Sequence, residues 1–491
     1  MPTMTTKKQS HLSDGLHRRA LLQLGFAGVV AFALADFSRA AERGEERPLA
    51  IGNRVEPFVD LFLVERMDGL THRFHTPIEQ RGLTQPPSDG YYSTVIFDRN
   101  KYRHYCRETI PGYQGSMDDG NPGEVTAYEE SSDGIHWTKP KLGLFEVNGS
   151  RDNNYVLAGM SPFSHNFSPF LDPRPECPAD QRFKALAGTQ AGGGLVAFTS
   201  ADGVRWKKLR DEPLIKGQAG VYGFDSQNVC FWSEHEQQYV AFCRQFRNKL
   251  RSIVRTTSPD LVEWSPLTPV TANLADEHLY TSQAHPYFRA PHIILGLATR
   301  FFPDRGQSTD IALLSSRDGQ SFDRVLKDAY IRPANTRASW GNRGNYASLN
   351  VFPLMNDRPG LPEEWRYSII DDMGIMVRDR IYRLRLDGFA SIHAGFEQGE
   401  MVTKPFTCTG DTFFVNFETS AAGHVKAEIL DEAGKPIPGF QLDQMKEVLR
   451  GNERRQPVSW RADLKTLANQ PIRLRFVLRE ADLYSLRFSK R

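Results

Sequence analysis

The feature that most limits what this chain can fold into is a phrase that returns five times. It reads Ser-Ser-Asp133-Gly-Ile-His-Trp137, Ser-Ala-Asp202-Gly-Val-Arg-Trp206, Ser-Pro-Asp260-Leu-Val-Glu-Trp264, Ser-Arg-Asp318-Gly-Gln-Ser-Phe322 and, weakly, Arg-Leu-Asp387-Gly-Phe389. Successive Asp residues stand 69, 58, 58 and 69 positions apart. A regular period of that size signals a repeat architecture in which each copy is one supersecondary unit.

The text between the phrases repeats as well. Each unit opens with an apolar strand, turns, and returns through a second strand: Lys101–Glu108, Arg182–Gly188, Gln238–Arg244, His292–Arg300 and Trp365–Asp372. A third strand leads into the Asp phrase and a fourth starts at its aromatic residue. Four short strands per repeat, with no amphipathic helix between Pro48 and Ala394, describe propeller blades, and five repeats predict a five-bladed β-propeller over 48–395. Asp and Gly then make the turn between third and fourth strands, so these Asp residues are read as structural. Pro57–Glu65 precedes the first repeat and is read as a strand that closes the ring on the last blade. From about Gly399 the pattern changes to alternating strands divided by Gly, Pro and Asp turns, which predicts a C-terminal β-sandwich over 399–491. The fold class is therefore all-β.

Residues 1–40 read separately, as an export signal. Arg18 and Arg19 precede an apolar run from Ala20 to Ala35, and Ser38 and Ala40 supply the small residues of a cleavage site. The Arg pair favours the twin-arginine route, so the mature protein is expected in the periplasm or outside the cell. No later segment is long and apolar enough to span a bilayer as a helix. With 61 Lys and Arg against 59 Asp and Glu, no charge excess points to nucleic acid. The five cysteines have no Cys-x-x-Cys spacing, and no metal or cofactor is expected. Cys230 and Cys243 lie on one predicted hairpin, either as a disulfide or, the favoured reading, as buried thiols. No Ser-His-Asp order, phosphate loop or dinucleotide fingerprint stands in a fitting context.

The repeat also sorts residues by end of the propeller. If first strands run down the channel and second strands return, loops at the top receive the starts of the first and the ends of the second. Those positions hold Asp89, Asp225, Gln227, Asn228, His278, Tyr280, Arg343 and Asn345 from first strands, with Arg107, Glu108, Arg244, Arg300, Asp371 and Asp372 from second strands. His165, Asn166 and Tyr346 fall there too, and Trp340 sits on the Gly-rich loop entering blade five, where it either stacks on a sugar or anchors the loop. Carboxylates, Arg, Asn and aromatics converging on one mouth suit a carbohydrate. Glycoside hydrolysis needs two carboxyl groups, one protonated and one ionised, and Asp225, Glu108 and the pair Asp371 and Asp372 are the candidates, expected at one end of the channel. The other reading has them tie blades together through Arg107, Arg244 and Arg300. The connection 109–124, rich in Gly and carrying Asp118 and Asp119, is either a flap over the site or a solvated loop.

These residues carry a family resemblance. The five repeats, with Ser-Pro-Asp260-Leu-Val-Glu-Trp264 in the third, resemble the five-bladed propeller glycosidases of the invertase and arabinanase type, glycoside hydrolase families 32 and 43. Phe224-Asp225-Ser-Gln-Asn-Val-Cys-Phe-Trp232, Arg343-Gly-Asn-Tyr346 and Asp482-Leu-Tyr-Ser-Leu-Arg-Phe488 resemble secreted bacterial proteins described as related to family 32. The resemblance implies a glycosidase acting on a polysaccharide or oligosaccharide. The invertase-type Trp-Met-Asn-Asp-Pro-Asn-Gly segment, Arg-Asp-Pro and Glu-Cys are not intact here; Leu171-Asp172-Pro-Arg174 is a partial echo, placed by the repeat at the bottom. The alternative from a different class is a propeller that binds carbohydrate without turning it over.

Overall fold

The computed structural model describes residues 47–354 and 370–490; the export signal lies outside them. Every described β-element belongs to one of five blade sheets or to a ten-stranded C-terminal sheet. Among the described residues no helix is long and apolar enough to cross a membrane.

The five blades follow the predicted order. Blade one is Tyr91–Asp98, Lys101–Thr109, Glu124–Ser131 and Tyr155–Leu157, all antiparallel. Blade two is built on Ser168–Leu171, Phe183–Thr189 and Gly194–Ser200, and blade three on Val229–Ser233, Gln238–Arg247 and Leu250–Ser258. In blade four the inner strand comes in two pieces, His278–Thr281 and Ala284–Tyr287, both paired with Ala290–Phe302 and each carrying a register shift. Blade five pairs Phe352–Leu354, Asp372–Val377 and Arg380–Arg385. Apolar side chains between neighbouring blades form the core, as where Tyr105 of blade one meets Trp206 of blade two edge to face.

Two expectations are corrected. The ring is closed by Ile78–Gln80, which pairs with Arg383–Ile381 as the outer strand of blade five. Pro57–Glu65 instead runs between Val55–Pro57, paired with Ser485–Arg487, and Val64–Asp68, paired with Glu400–Thr403. The second strand of blade five is Asp372–Val377 rather than Trp365–Asp372, most of which lies outside the described residues.

The Asp phrases are turns. Asp133, Asp202, Asp260 and Asp318 each accept two backbone N–H groups at 2.8–2.9 Å from the residues two and three positions on. The preceding Ser hydroxyls donate to the same carboxylates. Gly134, Gly203 and Gly319 take φ near +66° to +80° in that turn, and Leu261 takes φ +69° where the third copy lacks the glycine. The fifth copy is weak for a physical reason. After Asp387 the chain leaves for Ala390–Ala394 in the C-terminal sheet, and Asp387, fully buried, accepts from Tyr287 and Ser485 instead. Asp202→Ala is expected to lower stability by roughly 1–2 kcal/mol, the worth of the hydrogen bonds it removes; an unchanged thermal midpoint would refute the turn role.

The C-terminal strands are consistent with a β-sandwich. Thr412–Asp431 and Ile472–Ser489 pair along most of their length, and Phe413 stacks between Trp460 and Phe488. Trp460 and Tyr484 are both buried, so neither offers a surface to a sugar. All five cysteines are free thiols, Cys230 and Cys243 included.

Candidate active site

Strand direction fixes the two ends. In blade three Gly223 bridges Gln245 at one end and Ser233 faces Gln238 at the other. Asp225 therefore opens the mouth at the end where second strands finish. The Asp turns lie at the opposite end, because third strands start beside the ends of second strands, as Glu124 does beside Thr109.

At this mouth Asp225 meets Arg244, whose guanidinium is 2.7 Å from its Oδ2, and Tyr280, whose hydroxyl is 3.5 Å from the same oxygen. The second carboxyl comes from the connection 109–124. Oxygens of Asp119 and Asp225 and a ring nitrogen of His165 all lie within 4.8 Å of one another. Burial first, and the negative charge of Asp225 second, raise the Asp119 carboxyl above the ordinary range. The connection thus brings a second carboxyl to the mouth.

The loop is held by a buried network. Arg107 donates to Asn166 Oδ1 at 2.7 Å, which turns the Asn166 amide toward His165 Nε2 at 2.9 Å. His165 Nδ1 lies 2.8 Å from Glu124 Oε2 and 3.1 Å from the Arg107 guanidinium. Gly120 N–H sits over the same corner, 2.9 Å from Nδ1 and 3.3 Å from Glu124 Oε1. Burial pushes the Glu124 carboxyl up, but the His165 hydrogen bond and the Arg107 charge outweigh it and hold it below the usual range. Gly120 has φ +74°, and a Cβ there would come within 2.8 Å of Pro162 Cβ, so this residue lets the loop descend. The three groups Asp119, His165 and Asp225 have the types a divalent cation takes. The His165 nitrogens are committed to Asn166 and Glu124, however, so the cluster fits a carboxyl pair better than a metal centre.

A tyrosine floor completes the mouth. Tyr346 lies 5.3 Å from Tyr92 and 5.4 Å from Tyr280, ring centre to ring centre, and Arg107 stacks on Tyr92 at 4.5 Å. Arg343 stands over Tyr91 at 5.3 Å.

Other expected site residues have structural partners. Gln227 is buried in the channel, bonded to Thr94 and to Gln283. Asn228 donates to the carbonyls of Phe224 and Ser226, and Asn345 to those of Thr309 and Ser339. His278 accepts from the Arg251 backbone, and Asp89 is paired at the rim with Arg378. Arg300 makes a two-pronged pair with Asp310 at 2.6 and 2.7 Å. Trp340 is exposed, donates to Ala334 O, and lines a separate cavity with Arg300, Arg305 and Arg332.

Two carboxylate assignments are corrected. Glu108 turns to the opposite face of its strand from Arg107, as successive strand residues must, and lies against Cys106 and Tyr155. Asp371 and Asp372 stand at the start of the second strand of blade five, Asp372 facing Leu354, which puts them at the far end of the channel from Asp225. There Arg454 donates to the Asp371 backbone carbonyl and to the Asp372 carboxylate. Of the expected carboxylates, Asp225 alone is at the mouth with a second carboxyl beside it.

No protein-family model matches the chain, and no curated protein does. Among solved structures it is similar to a glycoside hydrolase family 43 arabinoxylan arabinofuranohydrolase from Bacillus subtilis, at 12% identity and TM-score 0.37 over 84% of this chain and 97% of that one. It is also similar to an N-acetylgalactosamine deacetylase from F. plautii, at 12% and 0.38 over 85% and 95%. A thermostable family-43 glycoside hydrolase matches at 9% and 0.42 over 65% and 96%. What the mouth does follows from its own side chains.

Proposed function

We propose that the protein is an exported glycoside hydrolase acting on a polysaccharide or its oligosaccharides at the mouth of the propeller. The observation that carries this reading is the pair Asp119 and Asp225. One carboxyl is biased toward its protonated form and the other is matched by the fixed charge of Arg244, which is how acid and base roles separate between two like groups. Asp119 gives its proton to the glycosidic oxygen as the bond to the anomeric carbon breaks. Asp225 attacks that carbon, or takes a proton from the water that does. The two carboxyls share a hydrogen bond, with oxygens well within 4.8 Å, which is too close for the roughly 6.5–9.5 Å pairs that admit a water and on the near side of the roughly 5 Å pairs that attack directly.

Incubating the mature protein with a broad glycan panel and resolving the products tests this directly. Release of oligosaccharides is expected; binding without release would leave a carbohydrate-binding propeller. Because Asp119 must be protonated to act, kcat/KM is expected to fall as pH rises through its raised pKa. Asp119→Asn should abolish that alkaline limb together with most of the activity. A wild-type profile flat across that limb would remove Asp119 from the acid role.

A further inference from the structure

The mouth holds more cation than its carboxylates can match. Arg107 is answered by Glu124 at 3.6 Å and by Asn166. Arg244 is 2% exposed and meets its counterion Asp225 through one nitrogen at 2.7 Å, while its other two guanidinium nitrogens are buried without a hydrogen-bond acceptor. Arg251 has a buried, unpartnered Nε, and its NH1 comes no nearer than 3.5 Å to a His278 ring nitrogen. Neither Arg251 nor Arg343 has a carboxylate partner among the described residues. Arg244 and Arg251 both lie 5.0 Å from the centre of the Tyr280 ring.

Leaving buried donors unfilled is costly. Stacking on tyrosine screens the charge but fills no donor. The positive field is felt within the site: burial first and the neighbouring Arg244 second lower the pKa of Arg251. Of the carboxyls available to answer it, Asp119 is biased toward its neutral form. Guanidinium donors in a fixed planar fork match a flat, two-oxygen anion better than a neutral hydroxyl.

We infer that the substrate carries an anionic substituent, a carboxylate or a sulfate on the sugar, and that Arg244 and Arg251 receive it with Arg343 across the tyrosine floor. This rests on the glycoside hydrolase reading for the bond broken, but binding can be measured apart from turnover. In the Asp119→Asn variant, calorimetric titrations with neutral xylo- and arabino-oligosaccharides, with uronate oligosaccharides and with sulfated galactan oligosaccharides separate the classes, and the last two separate carboxylate from sulfate. An acidic series is expected to bind at least about tenfold more tightly than the neutral ones, with affinity falling as salt is raised. Arg251→Gln and Arg343→Gln, each checked for its thermal midpoint, are expected to lose about tenfold in acidic affinity, the worth of one hydrogen bond to a charged group. Acidic binding with no cleavage of any glycan by the wild type would keep the anionic assignment and sink the hydrolase. Cleavage of neutral glycans with no acidic preference would do the reverse. Binding of neither class, or unchanged acidic affinity in both folded Arg variants, would overturn the anionic assignment.

Discussion

Asp225→Asn is expected to cut glycan release by roughly 10²–10⁴-fold, the range over which a positioned proton-transfer group contributes. The side chain keeps its shape and loses its charge, so a sugar can still dock while no carboxylate remains to attack or to activate water. The substitution also removes the ion-pair partner of Arg244, which is 2% exposed, and a buried cation without its partner destabilises a fold. Activity must therefore be expressed per folded molecule, with the folded fraction taken from the near-ultraviolet dichroism of the same sample. Wild-type turnover by the folded fraction would exclude Asp225 from the chemistry. Asp119→Asn offers the contrast, because it leaves Arg244 and Asp225 paired. If the two carboxyls act on one bond, both variants lose activity and the double variant loses little more than either.

Ends of strands were legible in the repeat; faces and loops were not. The repeat places Asp225 at the mouth because it precedes the inner strand of blade three, a position fixed without any knowledge of tertiary contacts. Glu108 shares the same end, but the two-residue period of a strand turns it away from Arg107, and counting from the Asp phrase says nothing about faces. Arg300 fails similarly: it ends its strand at the mouth, then points along the blade to Asp310. The apolar run Tyr367-Ser-Ile-Ile370 reads in sequence as a second strand ending at Asp371 and Asp372. The observed second strand is Asp372–Val377, with Met373, Ile375 and Val377 buried in one cluster. Asp119 and Arg251 left no periodic signal. One sits in a Gly-rich connection and the other at the start of a third strand, and each matters only through side chains remote in sequence. The weak form of the fifth phrase, by contrast, goes with a blade completed differently, its outer strand supplied by Ile78–Gln80.

Asp172→Asn is expected to be among the most destabilising single changes in the propeller while leaving turnover per folded molecule intact. Asp172 follows the inner strand of blade two, at the end away from Asp225. Its carboxylate is fully buried and accepts from Lys184 at 2.7 Å, Tyr239 at 2.6 Å and Arg174 at 2.9–3.2 Å. Burial alone would raise its pKa, but the bonds from Arg174, Lys184 and Tyr239 outweigh burial and hold the carboxyl well below the usual range. Lys184 is only 3% exposed, so an amide in place of the carboxylate leaves its buried ammonium with the Gln181 carbonyl but no counterion, at a cost of roughly 3–5 kcal/mol. The sign of the pH dependence follows. A depressed carboxyl stabilises the fold fully above its unfolded pKa, near 4, and that contribution is lost as pH falls below it. Thermal midpoints of the wild type should therefore drop more steeply below about pH 4 than those of Asp172→Asn. Pairing the change with Lys184→Met removes the stranded cation and should recover much of the stability. A double variant no more stable than Asp172→Asn would show that the hub holds blades two and three together by geometry rather than by charge.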